Sequence, residues 1–286
     1  MKPFDLLTAI AVPIIWGMGF VIAKAGLSHF SPILMMALRF SITAACLIYF
    51  FRPPLQLYRQ IFWISLVSAT LQYSLTFNGL NGIDASTAAL LVQLEVPFGL
   101  VLAWLVFGER ITLRQALGVF VAFAGAILII GEPRLEGNLI YAFLVIAGAF
   151  TWAVGQIMIK KLGKVGGFHL LAGVALFAAP QMFLASWLFE DHQWQQVASA
   201  SLAAWSSVVY LGLVMTALGY GLWYRLLGLY NVNQCMPFLL LLPVTSVCGG
   251  LLFLDEALTL KIAIGGGLAV LGVAMITVQR VARSRG

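Results

Sequence analysis

A carboxylate lies in the middle of an apolar run, in Gln93-Leu94-Glu95-Val96-Pro97. Pro97 has no backbone N–H, so it interrupts the hydrogen-bond ladder of a helix that contains it. An ionisable group at membrane depth is costly unless it faces protein or water, and such groups mark ion and substrate pathways. Two roles for Glu95 stay open: a carboxylate that binds a proton or an ammonium group, and one half of a buried ion pair.

Arg39 is the candidate partner of Glu95 in that pair. At a rise of about 1.5 Å per residue, Arg39 lies about 9 Å and Glu95 about 15 Å from the same end of their apolar runs. The difference is within reach of an arginine side chain. The pair would stabilise helix packing and would leave no free carboxylate. For Arg39 alone, a structural role is the favoured interpretation.

Neutral polar side chains form a second set of candidates inside the apolar runs. Amides and hydroxyls can bind the carboxylate and ammonium of a zwitterion without the desolvation cost of fixed charges. The alternative for each is a hydrogen bond between helices. The set is Gln72, Tyr73, Asn78, Gln93, Gln156, Tyr220, Tyr224, Asn233 and Gln234.

Two tryptophans, Trp16 and Trp152, lie too deep in their runs to be simple interfacial anchors. Their rings can stack on an apolar group of a substrate or act as gates, and ordinary helix packing is the alternative. Further along the chain, Pro237 and Pro243 interrupt another run as Pro97 interrupts its own.

The sequence carries few signs of metal or enzyme chemistry. Cys46, Cys235 and Cys248 lie in apolar runs without CxxC spacing, and no HExxH, Walker or GxSxG motif is present. We therefore predict no catalytic residue, no metal and no cofactor. A polytopic membrane enzyme and a non-transporting assembly subunit are the alternatives from other functional classes.

The elements that must position these residues are membrane-spanning helices. Of the 286 residues, 62% are hydrophobic and 9% charged, whereas soluble domains have about 25% charged residues. The apolar runs are about 20 residues long and apolar on all sides, which is typical of spanning helices and not of a barrel. Ten runs are predicted, at approximately 4–23, 33–51, 61–79, 85–106, 114–131, 138–158, 168–189, 203–224, 231–254 and 262–279.

The basic residues predict the orientation, because cytoplasmic loops collect lysine and arginine. Twelve lie on the side of the N-terminus: Lys2, Arg52, Arg59, Arg110, Arg114, Lys160, Lys161, Lys164, Arg225, Arg280, Arg283 and Arg285. Three lie on the other side: Lys24, Arg134 and Lys261. The prediction is a multi-pass protein of the cytoplasmic (inner) membrane with both termini in the cytoplasm. The net charge of +6 is explained in this way, and no nucleic-acid partner is predicted.

The chain also repeats itself. Trp16-Gly17 with Lys24 matches Trp152-Ala153 with Lys160 at an offset of 136 residues, and Pro97 matches Pro243 at 146. The Gly108-Glu109 turn matches the Asp255-Glu256 turn at an offset of 147 residues. Two repeats of five spans are predicted, at 1–131 and 138–279, followed by a basic tail at 280–286. An odd number of spans per repeat inverts the second copy, as in many secondary transporters.

Several of these motifs carry a resemblance to a known family. They are Trp16-Gly17 with Phe20 and Lys24, Leu38-Arg39-Phe40, the Gly108-Glu109-Arg110 and Asp255-Glu256 turns, and Ala217-Leu218-Gly219-Tyr220-Gly221-Leu222-Trp223. With them the chain resembles the drug/metabolite transporter superfamily, in its EamA-type branch of ten-span exporters. Within that branch it is most similar to the YddG-type amino-acid exporters. The likeness covers essentially the whole chain.

The resemblance implies an all-α membrane protein whose ten helices surround a central cavity, lined mainly by spans one, three, four, six, eight and nine. It implies export of a small molecule, most of all a neutral or aromatic amino acid, with a drug or nucleotide-sugar-like metabolite as the alternative. Because the chain has no ATPase motif, gradients must drive alternating access, and proton coupling is open. The predicted partners are the substrate and the lipid bilayer, and the chain is a monomer or weak homodimer.

Overall fold

The computed structural model describes residues 1–132, 135, 137–163, 165–230 and 232–278. For Val232, Asn233, Met236 and Pro237 it describes the backbone alone. The predictions for Arg134, Lys164 and the tail at 280–286 therefore lie outside the described residues, as do those for the side chains of Asn233 and Pro237.

The first repeat forms five spans. Span 1 is α1 (Pro3–Gly26) and span 2 is α2 (Pro32–Leu47). Span 3 consists of α3 (Tyr58–Ser65), a π-helical segment (Leu66–Leu71) and α4 (Gln72–Gly82). Span 4 consists of α5 (Ala85–Val92) and α6 (Glu95–Phe107), and span 5 is α7 (Leu113–Ile130).

The second repeat has the same order. Span 6 is α8 (Leu139–Leu162) and span 7 is α9 (Gly167–Phe189), followed by the short loop helix α10 (Gln193–Ser199). Span 8 consists of α11 (Leu202–Val209), a π-helical segment (Tyr210–Leu218) and α12 (Gly219–Leu229). Span 9 consists of α13 (Val232–Cys235), a 3-10 segment (Met236–Leu240) and α14 (Leu241–Phe253), and span 10 is α15 (Leu260–Thr277).

Ten crossings bring the first and the last described residues, 1 and 278, to one face, which we call the terminal face; the other is the distal face. Among the described residues, seven helical stretches are individually long and apolar enough to cross a membrane, and the remaining spans are shorter or interrupted. Span 2 ends at Leu47, before the predicted residue 51. Pro53 and Pro54 follow this end, and because the residue before a proline disfavours helical geometry, the helix is not resumed at Arg52. The helix α10 and a 3-10 turn at Leu55–Leu57 were not predicted.

Spans 5 and 10 pack against each other along their length through small residues. A Cβ atom on Gly118 would lie 2.8 Å from the Gly272 carbonyl oxygen, and one on Gly125 would lie 2.5 Å from that of Gly265. The backbones are therefore in direct contact, as in other membrane helix pairs built on small residues. Gly118 and Gly125 match Gly265 and Gly272 at the 147-residue offset, so the two contacts are equivalent under the inverted symmetry.

The two repeats also exchange side-chain contacts through their π-helical segments. Arg39 of α2 donates to the Thr216 hydroxyl in span 8, and the Thr70 hydroxyl of span 3 donates to Gln181 of α9. Thr70 and Thr216 are 146 residues apart, and Arg39 and Gln181 are 142 apart. In each repeat, a polar residue of the second span thus contacts a threonine in the π-helical segment of the opposite repeat.

Candidate functional site

The interruption of span 4 lies at Gln93 and Leu94, between α5 and α6. Because Pro97 has no N–H, the Gln93 carbonyl accepts instead from the Val96 N–H at 3.2 Å. Glu95 then becomes the first residue of α6, where a negative charge is favoured by the helix dipole. Span 9 changes from 3-10 to α-helix at Leu240 and Leu241, which match Leu94 and Glu95 at the 146-residue offset.

The Glu95 side chain lies deep within the molecule and is nevertheless partly accessible. Among the described residues there are two ion pairs, Arg225–Asp5 and Lys160–Glu109, and neither includes Glu95. The Tyr220 hydroxyl lies within electrostatic range of Glu95 and of Arg39. The Glu95 carboxylate is therefore accessible in part and has a polar aromatic side chain in its neighbourhood.

Arg39 has partners other than Glu95. Its side chain is fully buried, and its Nε and Nη2 donate to the Thr216 hydroxyl at 3.1 and 2.9 Å. Nη2 also reaches the Tyr73 hydroxyl at 3.4 Å, and the guanidinium carbon lies 4.6 Å from the centre of the Tyr73 ring. The ion pair between Arg39 and Glu95 that the depth count allowed is thus not formed in this structure. The guanidinium instead points to span 8, where it donates to Thr216.

An aromatic cluster connects spans 1, 7 and 8. The ring of Trp16 lies 5.0 Å from that of Tyr220, and its Nε1 donates to the Met215 carbonyl at 3.0 Å. Tyr220 lies 5.8 Å from Tyr224, which in turn contacts Phe168 at 5.9 Å. The predicted residues Trp16, Tyr220 and Tyr224 therefore form one continuous aromatic surface.

The remaining predicted residues differ in their surroundings. Gln72 and Asn78 bond within their own helix, to Thr76 at 3.1 Å and to the Ser74 carbonyl at 2.7 Å. Trp152 and Gln156 are partly accessible on α8, and Gln93 is buried at the interruption of span 4. Gln234 is exposed near the terminal face. Of the helix-breaking prolines, Pro97 and Pro243 are buried.

Three features of the site were not predicted from the sequence. Thr216, the main partner of Arg39, matches Thr70 at the 146-residue offset between the repeats, and this match could have indicated it. The 3-10 and π-helical turns of spans 3, 8 and 9 leave no pattern in composition. Lys24, for which the sequence predicted only a place on the side opposite the N-terminus, donates from Nζ to the carbonyls of Leu80 and Asn81.

The arrangement is suited to binding and release. No group of three or more metal-ligating side chains occurs within the part of the chain that the structure describes. The centre offers one carboxylate, several hydroxyls and an aromatic surface, at helix interruptions that recur in both halves. Paired interruptions of this kind, in inverted repeats, define the architecture of a secondary transporter.

Comparison with known proteins identifies the transporter family of this chain. The model of the EamA-like transporter family matches the chain twice, at residues 4–131 and 139–278. The chain belongs to this family, which lies within the drug/metabolite transporter superfamily.

Two relatives match along almost their full length. A protein of Salmonella typhimurium described as a probable amino-acid metabolite efflux pump is 32% identical, with 100% of both chains covered. Its namesake in Escherichia coli is 30% identical, over 96% of this chain and 93% of that protein. A probable terminal-alkyne amino-acid exporter of Streptantibioticus cattleyicolor is 28% identical over 71% of this chain and 67% of its own. One crystal structure, 20% identical, has the same fold, with a TM-score of 0.67 and complete coverage of both chains.

Proposed function

We propose that this protein is a secondary transporter that exports amino acids across the cytoplasmic membrane by alternating access. The family is one of transporters, and three relatives bear names that refer to export or efflux of amino acids or their metabolites. The excess of basic residues on the terminal face supports a cytoplasmic location of both termini. The substrate would then be taken up from the terminal face and released at the distal face.

The observation that carries the proposal is the Glu95 carboxylate, which is central, partly accessible and outside both ion pairs of the described residues. A carboxylate at that position can accept hydrogen bonds from a substrate ammonium group, and charge-assisted bonds are the stronger kind. Tyr220 lies within electrostatic range of Glu95, and its ring contacts that of Trp16, so these ring faces can add attraction to a bound cation. A primary amine is thus the substrate group for which the centre is best equipped.

The aromatic surface supports the choice of a neutral or aromatic side chain. An apolar group of the substrate can stack on the ring faces of Trp16, Tyr220 and Tyr224. Ordering these rings on binding costs less conformational entropy than ordering flexible side chains would. The partly accessible Gln156 and the Tyr220 hydroxyl can serve the substrate carboxylate without introducing a second buried charge. Arg39 is unsuited to this role because its guanidinium is fully buried.

A second role for Glu95 is the exchange of a proton for the substrate. Protonation of Glu95 and binding of an ammonium group neutralise the same carboxylate, so the two events exclude each other. Inward movement of a proton on Glu95 would then alternate with outward movement of an amino acid. The same residue would serve binding and coupling.

The test uses the purified chain in proteoliposomes with a panel of amino acids, sugars and cationic drugs. We expect saturable counterflow of amino acids, and we expect Glu95→Gln to abolish it if the carboxylate binds the ammonium group. If Glu95 serves coupling alone, the variant keeps counterflow and loses accumulation driven by a pH gradient.

Glu132→Gln, at the periphery between spans 5 and 10, is the control for loss of a buried carboxylate. Unchanged rate and pH dependence in Glu95→Gln would refute both roles of that residue. Flux of drugs or sugars without flux of amino acids would overturn the substrate class, and no flux at all would favour an assembly subunit or an enzyme.

A further inference from the structure

On the distal face, Lys24 connects the end of span 1 to the end of span 3. Its Nζ donates to the carbonyl oxygens of Leu80 and Asn81 at 2.8 and 2.9 Å. These carbonyls belong to the last turn of α4, where backbone acceptors have no partner within the helix. The ammonium group therefore satisfies a helix end at which positive charge is favoured.

Glu256, after span 9, makes the complementary contact with the start of span 4. Its carboxylate accepts from the backbone N–H groups of Ala85 and Ser86, at 2.5 and 3.0 Å, and from the Ser86 hydroxyl. Glu256 also lies within electrostatic range of Lys24. Because α1 packs against α14, Lys24 and Glu256 belong to one helix body. They bind the ends of α4 and α5, which belong to a second body. We call these two residues the distal latch.

The inverted symmetry places an equivalent pair on the terminal face. Lys160 matches Lys24 at the 136-residue offset, and Glu109 matches Glu256 at 147. We call Lys160 and Glu109 the terminal latch. These two side chains bond to each other and are about half exposed, at 52% and 48%. Because α8 packs against α6, the bond between Lys160 and Glu109 connects two helices of the same body. It does not connect that body to the other one.

Helix packing shows the same difference between the faces. On the distal half, the first helix of span 4, α5, packs against both α1 and α14. The equivalent contacts on the terminal half would join the first part of span 9 to α8 and α6. Among the described residues these elements make no comparable contact. Within the part of the chain that the structure describes, α5 therefore closes the distal half against α1 and α14, and no equivalent packing closes the terminal half.

We propose that Lys24 with Glu256 and Lys160 with Glu109 are the two latches of alternating access, and that only one can be engaged at a time. In this structure the distal latch is engaged and the terminal latch is released. In the opposite state, Lys160 binds the carbonyls that end span 8, at Leu226 and Leu227, and Glu109 meets the first turn of span 9. These are the symmetry equivalents of the carbonyls and N–H groups that the distal latch holds.

The inference rests on the proposed transport function, but its test needs no substrate. Reporter cysteines are introduced into the full-length chain after Cys46, Cys235 and Cys248 have been replaced by alanine. Ser246→Cys reports on the distal face, because Ser246 is fully buried beside the Ala85 carbonyl. Its symmetry equivalent, Leu100→Cys, reports on the terminal face, because Leu100 is partly exposed. The labelling rate of each reporter by a water-soluble maleimide is measured in detergent.

Glu256→Gln or Lys24→Met should raise the labelling rate of the distal reporter by about tenfold or more and lower that of the terminal reporter. An effect of this size is expected because Glu256 loses charge-assisted hydrogen bonds from three backbone and hydroxyl donors, and Lys24 loses two to backbone carbonyls. The contribution of such bonds exceeds that of neutral bonds. Addition of Glu109→Gln weakens the opposite state and should return the distal rate toward that of the parent.

The chain offers a matched control for each latch residue. Glu132→Gln removes another distal carboxylate, which accepts from Thr259, and Lys261→Met removes another lysine that binds a helix-end carbonyl, at Gly131. Both link spans 5 and 10 and should leave the reporters unchanged. If Glu256→Gln and Lys24→Met change the reporters no more than these controls, the latches are packing contacts and the proposal is wrong. Reporters that respond in a chain without flux would retain the latches and refute the transport function.

Discussion

Thr216→Val tests whether the buried charge of Arg39 is stabilised mainly by one hydroxyl of the opposite repeat. Two N–H groups of the guanidinium donate to Thr216, at 3.1 and 2.9 Å. Valine preserves the shape of threonine and removes the acceptor, so no cavity forms. Hydrogen bonds to charged groups contribute about 1.5–3 kcal/mol each, whereas membrane-embedded bonds average about 0.6 kcal/mol. Because the rings of Tyr73 and Phe40 remain against the guanidinium, we expect a total loss of about 2–3 kcal/mol.

Thr70→Val is the matched control, since Thr70 is the symmetry equivalent of Thr216 and its partner is neutral. Gln181 loses the Thr70 donor at 2.7 Å and keeps the Ser65 hydroxyl at 3.1 Å, so a loss of about 0.6 kcal/mol is expected. Both values are measured by unfolding in sodium dodecyl sulfate, followed by circular dichroism. Equal losses in the two variants would show that the charge of Arg39 does not set the strength of the contact.

Two further predictions concern packing and helix ends. Gly17→Ala should lower the free energy of unfolding by about 1–3 kcal/mol, because its Cβ would lie 2.5 Å from the Leu242 carbonyl oxygen. Gly99→Ala, with no atom within 4 Å of the new Cβ, should be silent in the same unfolding assay, and an equal loss would refute the steric reason. Glu190→Gln should cost about 1–3 kcal/mol, since its carboxylate accepts from the Ile33 and Leu34 N–H groups at 2.7 and 2.9 Å. An unchanged unfolding midpoint there would show that water replaces the carboxylate at the start of α2.

Much of the fold follows from the sequence because membrane constraints act along one dimension. Apolar run length predicts crossings, and matched residues such as Trp16 and Trp152 indicate the repeats. A depth count, however, gives no angle around the helix axis. It placed Arg39 and Glu95 at compatible depths, yet the Arg39 side chain points to span 8. The partner of a polar residue depends on which faces meet, and that depends on the packing of all ten spans.

Residues that break the inverted symmetry make the central site chemically different at its two ends. Glu95 begins the second helix of span 4, and its equivalent in span 9 is Leu241. A carboxylate in both positions would place two like charges near the centre, and one would be protonated to relieve their repulsion. A single carboxylate instead defines one end of the site for a cation. The latches, by contrast, retain both charges in both halves. In the proposed mechanism, the two states can then use chemically equivalent contacts, while the substrate would meet a site with a single polarity.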